Sequence, residues 1–186
     1  MPTYIALLRG INVSGQKLIR MAALQSHFES CGAASVRTYI QSGNVVFEHR
    51  ETNATTLRRT LETHLEARLG YAVPTPVKTV KELAAIVAAN PYSAGLPEFG
   101  KRMYVCFFGK APTTAAIASI QPYVHDDERL VVKGLAGYAY YANGLGRARL
   151  SSAVIERRLG MATLRNWNTV TALLKLARGE TLAASG

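Results

Sequence analysis

SVRTYIQSGNVVF, residues 35–47, is the stretch on which the reading of the fold turns. SVRTYIQS (35–42) is rich in β-branched and aromatic residues, and Val45-Val46-Phe47 is a second strand-like run. Gly43-Asn44 between them is a tight-hairpin signal. The flanks of this hairpin carry a different period. Upstream, Met21, Leu24, Phe28 and Cys31 recur at helical spacing, and Gly32 supplies a stop. Downstream, Leu57, Leu61, Leu65 and Leu69 mark a second helix, closed by Gly70. TYIALLRG (3–10) precedes the first helix as a strand with apolar residues on both alternating faces, and TPVKT (75–79) follows the second as a short strand. The order β-α-β-β-α-β is that of the split ferredoxin-like unit.

The second half repeats the plan. KELAAIVAAN (81–90) reads as a linking helix stopped at Asn90-Pro91, and residues 91–101 read as a loop. RMYVCFFG (102–109) has the two-faced apolar character of the first strand. TTAAIASIQ (113–121) is helical, RLVVKG (129–134) and GYAYYAN (137–143) form a hairpin, and SSAVIERRLG (151–160) is a helix with a serine cap and a glycine stop. ATLR (162–165) supplies a fourth, edge strand. A last helix places Val170, Leu173, Leu174 and Ala177 on one face, with Lys175 and Arg178 near its C-terminus. The expected fold is α+β: two tandem ferredoxin-like repeats arising by internal duplication, with an extra C-terminal helix. The first repeat is assigned to residues 1–80, a linking helix and loop to 81–101, and the second repeat with the terminal helix to 102–186.

A ferredoxin-like sheet carries its helices on one face. Here Ile5 and Leu7 oppose Ala6 and Leu8, and Met103, Val105 and Phe107 oppose Tyr104, Cys106 and Phe108. Leaving the second face wet would expose a large apolar patch, so it is expected to pack against the other half. That expectation disfavours the open-sheet platform on which RNA bases stack.

With 48% hydrophobic and 18% charged residues the chain is a globular protein. No apolar run approaches the roughly 18 residues that cross a bilayer. MPTYIALLRG lacks a basic leader, so a cytoplasmic location with no membrane contact is the expectation; the oligomeric state is left open, with a monomer as the default. Cys31 and Cys106 lie far apart in apolar segments and read as two buried thiols in a reducing compartment, not as metal ligands.

The net charge of +10 is uneven. Residues 129–178 hold 9 Lys/Arg and one acid, Glu156. A basic surface attracts nucleic acid, phosphorylated metabolites or acidic partners. GINVSGQK (10–17) comes near the phosphate-binding pattern G-x-x-x-x-G-K-[ST], but Gln16 stands where the lysine belongs and no hydroxyl follows Lys17. That excludes a true P-loop and leaves a looser anion cradle of backbone amides plus Lys17. Arg9 ends a buried strand and needs an acceptor, either structural or a ligand anion. Arg9, Asn12, Lys17, Arg37 and Asn44 are candidates to assemble at one sheet edge. NGLGRAR (143–149) is a glycine-rich basic loop that offers Arg147 and Arg149. TLRNWNTV (163–170) sets Arg165 before a helix whose cap is Asn166 or Asn168. A bound anion would reconcile that arginine with the helix dipole, and Trp167 is either a core residue, as a lone tryptophan more often is, or a platform on which a base or sugar stacks. HDDE (125–128) reads as a solvated turn, and no nucleophile–base spacing stands out.

ALLRGINV, the MAAL helix start, VRTYIQSGNVVF and TLRNWNTV together resemble the bacterial family called domain of unknown function 1697, over essentially the whole chain. The resemblance implies a duplicated α+β, ferredoxin-like architecture and no named activity or cofactor. It places the family motifs on Arg9, Gly10, Asn12, Arg37, Tyr39, Ser42, Gly43, Asn44, Arg165, Asn166, Trp167 and Asn168. Leu164 departs from the pattern, where a second threonine or another small polar residue is expected.

The leading functional expectation is binding of a phosphate-bearing small molecule, such as a nucleotide, through the basic, glycine-rich loops. The alternatives are nucleic-acid binding through residues 129–178, an enzyme acting on a phosphorylated substrate, and a partner-binding module without a small ligand.

Overall fold

The computed structural model describes residues 1–13, 17–92 and 94–182. It is a mixed α+β protein with two four-stranded antiparallel sheets and seven α-helices among the described residues. Two compact units are present: Met1–Ala85 with Ala172–Gly186, and Ile86–Thr171. None of the helices is long and apolar enough to cross a membrane, among the described residues.

In the first unit, β1 (Thr3–Leu7) pairs with β3 (Asn44–Glu48) and β4 (Val77–Thr79), and β2 (Ala34–Tyr39) pairs with β3, giving the order β2-β3-β1-β4. Helices α1 (Met21–Ser30) and α2 (Ala54–Leu69) cover one face. Leu24 and Phe28 of α1 and Leu57, Leu61 and Leu65 of α2 meet Tyr4, Ala6, Val45 and Phe47 of the sheet in one buried cluster. Phe28 and Phe47 pack edge-to-face at 5.1 Å. Asn53 caps α2 by accepting from the N–H groups of Thr55 and Thr56, and Gly70 closes it in the left-handed region at φ +77°. Ile5 and Leu7, on the other face of β1, are fully buried as well.

The expected two-residue turn at Gly43-Asn44 is corrected. Tyr39 pairs with Asn44, so the turn is the four residues 40–43, and Asn44 opens β3 as a fully buried residue. Its amide donates to the Tyr39 carbonyl at 3.1 Å and to Ser42 Oγ at 2.9 Å. Those bonds satisfy the side chain inside the turn and allow its burial.

The second unit has β5 (Met103–Phe108), β6 (Glu128–Lys133), β7 (Ala136–Tyr141) and β8 (Ala162–Asn166) in the order β6-β7-β5-β8. Helices α5 (Thr114–Ile120) and α6 (Ser152–Leu159) bury Ile120, Val154, Ile155 and Leu159 against Cys106, Ala139 and Tyr141. Helix α3 (Val80–Ala88) and α7 (Trp167–Ala177) each cross from one unit into the other. Residues 91–101 are not all loop: α4 (Phe99–Arg102) forms one helical turn, held by two bonds from the Arg102 guanidinium to the Glu98 carboxylate at 2.9 and 3.1 Å. Of the two cysteines expected to be buried, one is and one is only partly so. Cys106 is buried, and burial pushes its thiol up to about 12, whereas Cys31 is half-buried at the end of α1.

Candidate functional site

The segment TLRNWNTV forms the junction of β8 and α7. Asn166 is the cap: its Oδ1 accepts from the Asn168 N–H at 3.0 Å, while its Nδ2 donates to the Lys101 carbonyl at 2.9 Å. One side chain therefore fixes the start of α7 and ties it to α4. Trp167, the sole tryptophan, is half-buried and packs edge-to-face on Phe99 at 5.5 Å. Asn168 lies directly on Gly100, where any Cβ would collide with its side-chain oxygen. Phe99, Gly100, Trp167 and Asn168 line an open groove of about 580 Å³ with Leu96, Glu98 and Lys101. The Glu98 carboxylate is neutralised by Arg102. Lys101 is exposed and makes no ion pair among the described residues. The groove thus offers an aromatic face, a cation and the first turn of an 11-residue helix.

The other C-terminal candidates, Arg147, Arg149 and Arg165, do not line this groove. Arg165 follows the alternation of β8 onto the face of its register partner Val105, opposite to Asn166. Its Nη1 donates to the Leu164 carbonyl at 2.9 Å, and burial pulls its pKa down to about 10. Arg102 lies against Gly144, so α4 and the glycine-rich basic loop touch there. Arg147 is exposed at the end of a single 3₁₀ turn. Arg149 is exposed too, with Nη1 3.3 Å from His125 Nε2.

The N-terminal candidates divide between two places. Asn12 holds a left-handed conformation (φ +53°) and organises its loop. Its Oδ1 accepts from the Ile19 N–H at 2.8 Å, and its Nδ2 donates to the carbonyls of Ile19 at 3.0 Å and Gln41 at 2.8 Å. Lys17 sits 4.9 Å above the Tyr71 ring. Arg9 is half-buried just beyond β1, with its backbone N–H on the Pro74 carbonyl. Ser14, Gly15 and Gln16, the centre of the near-P-loop pattern, lie outside the described residues. Arg37 stands apart from the Asn12 loop: its Nη2 donates to the Leu176 carbonyl at 2.8 Å, near the C-terminal end of α7. Asn44 is enclosed in its turn.

HDDE is corrected in one respect. Asp126 and Asp127 are exposed, but Glu128 is 6% exposed and ties down the basic loop. It accepts from the backbone N–H groups of Arg149 at 2.8 Å and Leu150 at 3.1 Å. No group of three or more potential metal ligands converges among the described residues.

Two histidines meet on the helical face of the first unit. The rings of His27 and His64 are 5.9 Å apart, and Ser30 Oγ lies 3.0 Å from His64 Nε2. Partial burial, then the neighbouring His64 and Arg68, hold His27 below its usual 6.5. A histidine whose folded pKa is lowered favours the neutral form in the native state. Its contribution is present above about pH 6.5 and lost as pH falls through the folded value. Thermal melts between pH 8 and pH 5 should show Tm falling on the acid side, and His27→Gln should flatten that slope.

Phe99 and Lys101 escaped sequence inspection because a Pro- and Gly-rich stretch conceals a single helical turn. The available signal was Glu98 four residues before Arg102, the spacing of an ion-paired turn.

A chain of two four-stranded antiparallel sheets, each with helices packed on one face, defines the structural class to which this protein belongs. It is a member of the DUF1697 family, a family of proteins of unknown function whose sequence model matches residues 1–138. The chain is also similar to the conserved bacterial protein SP0830 from Streptococcus pneumoniae, with a TM-score of 0.70 at 20% identity over 95% of this chain and 98% of the other. That likeness is one of fold. No curated protein matches the sequence.

Proposed function

We propose that the protein binds a phosphate-bearing small molecule with a planar ring, a nucleotide, in the groove between α4 and the start of α7. The supporting observation is the position of Trp167, half-buried on the groove wall beside the exposed Lys101. The ring of the ligand stacks on the indole, and its phosphate meets Lys101 and the first turn of α7. Arg102 serves indirectly, by neutralising Glu98, which would otherwise repel the phosphate.

Because Trp167 is the sole tryptophan, intrinsic fluorescence reports on the groove directly. Titration with ATP and AMP should quench it, while adenosine and inorganic phosphate bind more weakly. Lys101→Ala should weaken nucleotide binding about tenfold, the loss of one charge-assisted contact. Absence of quenching by any nucleotide at millimolar concentration would refute this reading. The nucleic-acid alternative rests on the exposed Arg129, Arg147, Arg149, Arg157 and Arg158. It predicts oligonucleotide binding with a steep loss of affinity as salt rises.

We infer also that the chain is a tandem of two ferredoxin-like units. Support comes from the common strand order, second-third-first-fourth, in both sheets, with two helices on one face of each.

A further inference from the structure

Three large apolar side chains stand exposed on two adjoining loops of the first unit: Val13 (57%), Leu18 (73%) and Ile40 (52%). Asn12 binds those loops together through Ile19 and Gln41. Each exposed residue is the chain neighbour of a clamped one: Val13 of Asn12, Leu18 of Ile19, Ile40 of Gln41. A cavity of about 480 Å³ opens there, lined by Asn12, Leu18, Ile19, Arg20, Met21 and Gln41.

Ile40 is out of place twice. Its φ of +48° is a left-handed conformation that a β-branched residue adopts at a cost. Its side chain is also more than half in water and outside the core cluster. Asparagine or glycine would suit this turn better. Neither the turn's backbone preference nor the core cluster calls for an isoleucine at position 40, and such local departures gather where a surface has another task.

The charge at the patch has one sign: Arg20 lines the cavity, no Asp or Glu does so among the described residues, and Lys17 directly precedes Leu18. Helix α1 starts at this cavity with no side-chain cap and no acid in its first turn. A basic partner is repelled here and an acidic one attracted.

We propose that this patch docks an acidic segment of a partner protein, one carrying apolar side chains between its carboxylates. The apolar side chains cover Val13, Leu18 and Ile40, and the carboxylates face Arg20 and the positive end of α1.

The test uses three fluorescent peptides and the intact protein: alternating Glu/Leu, alternating Lys/Leu and alternating Glu/Ser. Anisotropy should show binding of the Glu/Leu peptide alone. Leu18→Ser and Ile40→Asn should each weaken it about fivefold or more, and Arg20→Glu should do the same. Ile40→Asn should at the same time raise Tm, because it relieves the turn. Equal binding of the Lys/Leu peptide, binding of none of the three, or binding indifferent to Leu18→Ser and Ile40→Asn would overturn the proposal. A lower Tm for Ile40→Asn would also overturn it, by giving the isoleucine a structural role. Self-association that Leu18→Ser dissolves would replace the acidic partner with a second copy of this chain.

Discussion

Gly43→Ala is expected to lower the stability of the protein by about 3 kcal/mol, combining a left-handed backbone with an overpacked core. Gly43 has φ +73° and is buried where the turn after β2 meets the end of β1. An added Cβ would stand 2.7 Å from Ile11 Cδ1 and 2.9 Å from Leu8 Cβ. Both neighbours are themselves buried, at 1% exposure, and have little room to give. The Gly43 carbonyl also accepts from the Leu8 N–H at 2.8 Å, so a displaced turn loses a backbone bond. Urea denaturation followed by far-UV circular dichroism measures the effect. Gly10→Ala is the control, because a Cβ there meets nothing within 4 Å and only the left-handed backbone opposes it.

Glu128→Ala should lower stability by a similar amount, about 3 kcal/mol, because it strands buried N–H groups without a partner. The carboxylate holds the N–H groups of Arg149 and Leu150, and Leu150 is fully buried. Glu128→Gln keeps one acceptor oxygen and should lose less. Amide hydrogen exchange separates this from general loosening: Arg149 and Leu150 should exchange faster than the amides of α5. The groove proposed for a nucleotide should keep its Trp167 fluorescence response in this variant, since Glu128 does not line it.

Most of the fold was legible because the signals were local. Leucines four apart marked α2, serine and glycine bounded α6, and two-faced apolar runs marked β1 and β5. The Gly43-Asn44 pair gave the hairpin but not its turn length. That length is set by the side chain of Asn44 turning inward, which depends on Tyr39 and Ser42 being placed to receive it. Glu128 was misread for a similar reason. Two neighbouring aspartates made the run look solvated, and the backbone donors that bury the glutamate lie some twenty residues further along. At the groove, Asn166, Trp167 and Asn168 were found from the helix-start pattern. Their counterparts Phe99 and Lys101 come from a turn that the Glu98–Arg102 spacing signals, but that spacing says nothing of its contact with Trp167. Arg37, a candidate for the ligand site, donates to a carbonyl of the last helix, a long-range contact no spacing rule anticipates.

The boundaries of the two compact units fall inside α3 and α7, and the first unit includes residues from Ala172 onward. Order of synthesis therefore differs from order of completion. A nascent chain that has exposed residues 1–85 has made every strand of its first sheet, yet still lacks the helical segment whose Leu176 carbonyl receives Arg37. That segment follows only after the whole of residues 86–171 has been translated. The second unit has all its residues in hand before the first does, so the unit that begins the chain is the last to be completed, and until then it is an incomplete domain of the kind that depends on chaperones.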